Sequence, residues 1–302
     1  MTQVILFPIT SVLLYGLMAY MPQFGIVGAV FSPLLLLLYL NHEKRSKYSD
    51  LMLVSAVGLM AGISYMLPLI YIATVAFCAL FIFMYMKKGH LEIWLPVSAA
   101  PLLIFTGMAI MIYGLPEYRK ELTDFAEKGM LNFINAVKES KNPMADDPYF
   151  LAVANQSRMA AESMVLAFPA INYAFAALCT HIAMSLYSKL KKIELPKFRL
   201  PDNLVWLLIL GFALVFVNQK YIKHGGLNLI IMMLTLYAFQ GFDVVNHWFT
   251  RFKFPSFLKA LIFVFIFAEP PFIIFIALLG LFSVWFNLYG RQENNKEQTP
   301  SD

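Results

Sequence analysis

Long apolar runs alternate with short polar breaks along nearly the whole chain of 302 residues. The runs lack the every-second-residue alternation of barrel strands, and a segment in lipid must satisfy its own backbone hydrogen bonds. We therefore interpret them as transmembrane α-helices, about ten in number within a range of about eight to ten. The runs are residues 4–20, 24–40, 51–86 (a hairpin broken near 65–68), 92–114, 159–187, 203–218, 227–249, 254–268 and 272–289.

The last apolar run, from Phe257 to Tyr289, is too long for one straight helix in a membrane. At about 1.5 Å per residue it would extend about 50 Å, against a hydrocarbon core of about 30 Å. Glu269, Pro270 and Pro271 interrupt it. Either the run is one broken element with Glu269 deep in lipid, or it is two short spans with Glu269 in the turn. A residue before proline leaves the helical region and proline suits a first helical turn, so we favour two spans.

Composition agrees with a membrane protein. Hydrophobic residues make up 60% of the chain, charged residues only 14%, and the mean hydropathy is +0.68. We expect a single transmembrane helical domain over residues 1–290 and a polar, disordered cytoplasmic tail over 291–302. Cys78 and Cys179 lie inside apolar runs without a CxxC spacing, so the sequence indicates no disulfide framework, no metal site and no cofactor.

The net charge of +5 is explained by topology rather than by nucleic acid as a partner. If the loop at 41–50 is cytoplasmic, alternation puts most loop lysines and arginines on that side, including those of the connector at 188–202. This distribution predicts that both termini are cytoplasmic. No nucleotide-binding P-loop, HExxH or GxSxG motif occurs, so we expect no enzymatic activity and no ATPase in this chain.

Residues 115–157 form the only sizeable polar insertion. Apolar side chains recur there at helical spacing after Pro116 until Asn142 and Pro143, which predicts an amphipathic, non-spanning helix. It could be a lid over a cavity or an interfacial connector, and we favour the connector.

Polar residues within the predicted spans are the candidates for ligand contacts. Gln240, Asp243 and His247 follow at three- and four-residue steps and share one helix face, which suits a cationic or hydrogen-bonding ligand. Alternatively, Asp243 pairs with a basic residue near the cytoplasmic surface. Glu269 is a secondary candidate.

Small and polar residues elsewhere in the spans indicate packing. Asn172 and Cys179, seven residues apart, share a face, and a lone intramembrane Asn usually joins helices. Gly58 and Gly62 give their helix a small-residue face for helix packing or for docking another protein.

Three short motifs carry a resemblance to a known family: Phe168-Pro169-Ala170, the run from Phe198 to Trp206, and the run from Gly280 to Phe286. They resemble the YybS-type family of uncharacterised bacterial membrane proteins, which implies a multi-pass protein of the bacterial cytoplasmic membrane. The residues that carry the resemblance most directly are Pro169, Pro201, Asp202, Trp206, Gly280 and Trp285.

That family is distantly similar to the substrate-binding S components of energy-coupling factor transporters, which lack ATPase motifs and dock onto an ATPase-containing module. S components typically have fewer spans than predicted here, and Ser283 stands where relatives tend to carry an aspartate. The resemblance implies a small-molecule binding or transport component in the lipid bilayer that an ATPase module or another membrane protein energises. The alternative is a structural or regulatory scaffold that recruits cytoplasmic partners through its basic loops.

Overall fold

The computed structural model describes residues 2–90, 92–140, 142–286 and 288, and within them the regular structure is entirely helical. The predicted tail at 291–302 lies outside the described residues. The helices are α1 (Thr2–Tyr20), α2 (Pro22–Leu40), α3 (Lys47–Leu59), α4 (Met66–Lys87), α5 (Trp94–Gly114), α6 (Pro116–Glu139), α7 (Pro148–Asn155), α8 (Ser157–Lys191), α9 (Val205–Val215), α10 (Lys220–Arg251), α11 (Ser256–Ala268) and α12 (Pro270–Phe282).

Among the described residues, four helices are long and apolar enough to cross a membrane, namely α4, α5, α8 and α10. The pair formed by α11 and α12 passes the same test as one unit but is bent by 109°, which would make a fifth. The class of an all-helical membrane protein is therefore confirmed. The count of about ten spans is not.

Part of the difference comes from helices that are shorter than their apolar runs. Helix α9 has only 11 residues. Within the described residues, the apolar stretches of α1 and α2 are Val4–Leu17 and Gly28–Leu40, which are shorter than a full span. Helix α3 has 13 residues because it begins at a polar capping box formed by Ser46 and Ser49 and gives way to a 3₁₀ turn after Leu59. At about 1.5 Å per residue, 13 residues extend only about 20 Å, short of a hydrocarbon core of about 30 Å.

Helix α8 is the centre of the fold. It packs against α2, α5, α6 and α10, and α1 packs along α2. The main apolar core surrounds α8 and α10, and a second core joins α1, α2 and α4. The half formed by α1 to α5 and the half formed by α9 to α12 therefore meet across one long helix.

Helix α6 occupies the polar insertion, as the amphipathic pattern predicts. Its side chains Thr123, Ile134 and Val137 are buried, whereas Phe125 is 78% exposed. Arg158 at the start of α8 forms an ion pair with Asp124, and its guanidinium holds the pKa of that carboxyl below the ordinary value. The insertion is thus fastened beside the N-terminal part of α8.

Two glycines allow α10 and α12 to touch at the backbone. A Cβ atom built on Gly241 would lie 1.9 Å from the carbonyl oxygen of Ile276, and one on Gly280 would lie 1.9 Å from that of Tyr237. No side chain fits at such distances, so both positions require glycine. Small residues serve this purpose in membrane helices, where close backbone approach supplies much of the packing energy.

We expect Gly241→Ala and Gly280→Ala each to destabilise the protein by about 2 kcal/mol or more, because the added methyl group forces α10 and α12 apart. Thermal unfolding of the purified protein in detergent measures the loss. Gly107→Ala in α5 is the matched control, since a Cβ there meets nothing within 4 Å. Equal unfolding temperatures for all three variants would contradict the close contact.

Candidate functional site

Gln240 lies at the meeting point of three segments and is 1% exposed. Its Oε1 accepts a hydrogen bond from the backbone N–H of Leu200 at 2.8 Å. Its Nε2 donates to the carbonyl oxygen of Gly280 at 3.0 Å and to Oγ of Ser283 at 2.7 Å. The amide therefore joins α10 to the connector that follows α8 and to the end of α12.

Asp243 holds the same connector one helical turn further along α10. Its Oδ2 accepts a hydrogen bond from the backbone N–H of Phe198 at 2.6 Å. Phe198 and Leu200 are two residues apart in a segment without helix, and their side chains are 0% and 1% exposed. The alternating side chains of an extended segment explain why both residues turn toward α10 while Arg199 between them is exposed.

An aromatic cluster seats the connector from the side of α8. The ring of His181 stacks on Phe239 with centroids 4.7 Å apart, and both rings meet the Phe198 ring edge-on. The Nδ1 atom of His181 is buried and has no hydrogen-bond partner. The connector is thus fixed by two side-chain hydrogen bonds and by apolar burial.

The structure brings together only part of the predicted ligand site. Gln240 and Asp243 share a face, as their spacing predicts, but each already binds the chain's own backbone. His247 lies one turn further along α10 and is half-buried, and Glu269 is exposed at the turn between α11 and α12. These contacts give Gln240 and Asp243 a structural role. A ligand role for Gln240, Asp243, His247 and Glu269 stays a prediction.

The other predicted residues fall into two groups. Gly58 and Gly62 are exposed, no atom lies within 4 Å of a Cβ built on either one, and Gly62 falls in the 3₁₀ turn beyond α3. No described helix packs on them, and docking to another protein stays a prediction. Of the motif residues, Trp206 is 70% exposed, and Asp202 and Trp285 are exposed as well.

Asn228 pairs with backbone groups beside Pro169. This proline lies inside α8 and has no N–H to donate. Oδ1 of Asn228 accepts from the backbone N–H of Ala170 at 3.1 Å, while its Nδ2 donates to the carbonyl oxygen of Leu166 at 2.9 Å. Tyr113 of α5 donates to the same carbonyl oxygen at 2.9 Å. Sequence reasoning missed this network. The available signal was a proline inside one predicted span and an asparagine inside another.

A cavity of about 160 Å³ lies among α1, α2, α4, α5 and α8. Its polar lining comes from Tyr15, Thr74, Asn172 and Cys179, and the remaining lining residues are apolar. Thr74 belongs to a π-helical turn, Ile72–Ala76, inside α4. Such turns are rare and occur frequently at functional sites. Asn172 and Cys179, which the sequence indicated as packing residues on one face, thus line a cavity.

Two other hollows are open and almost wholly apolar. A groove of about 570 Å³ runs between α1 and α3, and one of about 520 Å³ runs between α6 and α8. Helix α6 lines its own groove and does not line the five-helix cavity.

The fold and its sites define a polytopic helical membrane protein with several candidate spans. Residues 9–283 match the model of DUF2232, a family of predicted membrane proteins, and the chain belongs to that family. Comparison found no match among curated proteins and none among solved structures. The matched range includes Pro169, Pro201 and Gly280, whereas Trp285 lies beyond it.

We expect Asp243→Ala to release the connector, because the N–H of Phe198 loses its acceptor. Limited digestion with trypsin then cleaves after Lys197 and Arg199 about tenfold faster or more, as measured by fragment masses. Asn246→Ala is the control, since the Asn246 side chain is exposed on the same helix. Unchanged cleavage in Asp243→Ala would show that the hydrogen bond does not hold the connector.

Proposed function

We propose that this protein is a non-enzymatic, membrane-embedded component that binds a small molecule for transport. The observation that carries the proposal is the five-helix cavity with its few converging polar groups. Ligand sites in proteins are mostly apolar pockets with a small number of placed polar groups, often between the helices of a bundle.

The location of the cavity supports a transport role. Tyr15, Thr74 and Asn172 lie well inside α1, α4 and α8 rather than at helix ends. Transporters commonly bind their substrates near the middle of the bilayer, beside helices with irregular turns. The π-helical turn of α4 and the proline of α8 are two such irregularities next to this cavity.

The proposal gives the energy source to a partner, because the sequence has no nucleotide-binding motif. A YybS-type protein resembling an S component would dock onto an ATPase-containing module in the cytoplasmic membrane of a bacterium. The exposed Gly58 on α3 and Gly62 in the turn beyond it are the docking surface we propose, since small residues let another helix approach closely.

A scaffold role has one specific observation in its favour. The connector holds Phe198 and Leu200 inward and leaves Lys191, Lys192 and Arg199 exposed in a fixed segment. A fixed basic segment suits a cytoplasmic partner with an acidic surface. Co-purification separates the two roles, since an ATPase pair favours transport and a different partner favours the scaffold.

We expect a metabolite to remain bound when the protein is purified from its native membrane under mild conditions, and mass spectrometry of the extracted sample detects it. Ala176→Leu narrows the cavity, because Ala176 lines it, and should remove the metabolite. Ala174→Leu is the matched control on the same helix, since Ala174 lines a different groove, between α8, α10 and α12.

The unfolding temperature of each variant shows whether it is folded. A wild-type preparation without a metabolite, and without stabilisation by any compound of a metabolite library, would contradict the binding role. Equal retention of the metabolite in Ala176→Leu and Ala174→Leu would mean that the ligand lies elsewhere.

For the topology, we propose that the chain after Arg251 enters and leaves the membrane on the cytoplasmic side. The side chain of Trp248 donates a hydrogen bond to the carbonyl oxygen of Leu288 at 3.0 Å, so both ends of this segment lie at the same end of α10. This supports cytoplasmic termini. Helices α11 and α12 are 13 residues each, about 20 Å, which favours a re-entrant loop over the two full spans expected from the sequence.

We expect a cysteine introduced as Glu269→Cys, with Cys78 and Cys179 replaced by alanine, to resist a membrane-impermeant thiol reagent added from outside the cell. The reason is that the contacts of Ile276 with Gly241 and of Gly280 with Tyr237 make α12 run back along α10 from its Arg251 end. The turn at Glu269 therefore lies toward the end of α10 that we place on the cytoplasmic side. Tyr221→Cys in the first turn of α10 is the positive control, since the topology puts it outside. Labelling at position 269 would instead establish the two-span hairpin.

A further inference from the structure

Among the described residues, those that line the five-helix cavity carry no charged side chain. Tyr15, Thr74, Asn172 and Cys179 supply its polar groups, and residues such as Ile104 and Phe175 supply its walls. An ion placed in an apolar interior without a paired charge loses several kcal/mol of hydration. The cavity therefore suits an uncharged ligand.

The size of the cavity limits the ligand to about one ring. Its volume is about 160 Å³. An engineered apolar cavity of about 150 Å³ in another protein binds benzene, which sets the scale. A molecule the size of a single six-membered ring fits this volume, whereas a dinucleotide or a lipid does not.

Tyr15 can donate a hydrogen bond into the cavity. Oγ1 of Thr74 lies 2.7 Å from the carbonyl oxygen of Ile70 and 3.3 Å from Oη of Tyr15. A carbonyl oxygen only accepts, so the single hydroxyl proton of Thr74 goes to Ile70. The Tyr15 proton then has only the long contact to Thr74, and it can turn to a ligand at little cost.

Asn172 supplies the complementary acceptor. The amide atom 2.9 Å from the carbonyl oxygen of Phe168 must be Nδ2, because it faces an acceptor. The Oδ1 atom of Asn172 is then left to accept. The described chain thus holds at least one donor and at least one acceptor against the same cavity, on α1 and α8.

We propose that the cavity binds an uncharged, ring-sized molecule that carries both a hydrogen-bond acceptor and a donor, such as a cyclic amide or a heteroaromatic base, with Tyr15 donating and Asn172 accepting. This inference rests on the proposed binding function and names the chemical class of its ligand.

Three probes of similar size test the class. They are 2-pyridone, which is neutral and has both an N–H and a carbonyl group, benzene, which has neither, and benzoate, which is an anion. Binding to the purified, metabolite-free protein is measured by titration calorimetry or by thermal stabilisation. We expect 2-pyridone to bind more tightly than benzene and benzoate not to bind.

Tyr15→Phe removes only the hydroxyl group and should weaken 2-pyridone binding about tenfold while leaving benzene binding unchanged. Asn172→Leu should have a similar effect. Tyr48→Phe is the control, because Tyr48 is 82% exposed and distant from the lining. The unfolding temperature without ligand checks that each variant is folded.

The inference is overturned if benzoate binds as tightly as 2-pyridone, if neither 2-pyridone nor benzene binds, or if Tyr15→Phe leaves 2-pyridone affinity unchanged. A charged native metabolite that is lost in Ala176→Leu would also overturn it, yet would leave the proposed binding function standing. If no metabolite co-purifies and no probe binds, both the inferred ligand class and the proposed binding function are wrong.

Discussion

The fold depends on one requirement: every backbone N–H and C=O group that a helix break leaves free must find a partner inside the protein. Neither lipid nor a buried apolar core offers hydrogen bonds, so side chains of a neighbouring helix supply the partners here. Asn228 pairs with backbone groups beside Pro169 inside α8, and Gln240 and Asp243 pair with those of Leu200 and Phe198 in the connector. All three lie on α10. Side chains of this one helix therefore satisfy backbone groups beside the proline of α8 and in the non-helical connector.

This requirement gives the intramembrane polar residues two distinct roles. Those of α10 are satisfied by the chain's own backbone and hold the fold. Those that line the five-helix cavity belong to α1, α4 and α8, and they keep hydrogen-bonding capacity that the fold does not use. The difference lies in what each side chain holds. The α10 residues bind backbone groups of other segments, whereas Thr74 and Asn172 donate to carbonyl groups of their own helices and keep further hydrogen-bonding atoms for a ligand.

Sequence reasoning recovered features that are local and missed those that depend on tertiary contacts. Helical spacing was enough to find the amphipathic helix α6 and the shared face of Gln240 and Asp243. It could not reveal what that face binds, since the partners are backbone N–H groups without a sequence signature. The cavity was missed because Tyr15, Thr74 and Asn172 come from three helices far apart in the chain. The structure also ends some helices earlier than the sequence predicts, as at Leu59. Hydropathy marks the residues that can lie in lipid but not the residue at which a helix stops.

The placement of Asn228 and Gln240 on one uninterrupted helix has a consequence for how the sequence can vary. Each residue added between them would rotate one set of contacts by about 100° against the other and shift it by about 1.5 Å. The amide of Asn228 would then lose its partners beside Pro169, or the amide of Gln240 would lose its partners Leu200 and Gly280. The interval between Asn228 and Gln240 can therefore accept substitutions but not a change of length. Its length sets the distance between the two sets of hydrogen bonds that α10 makes with other segments.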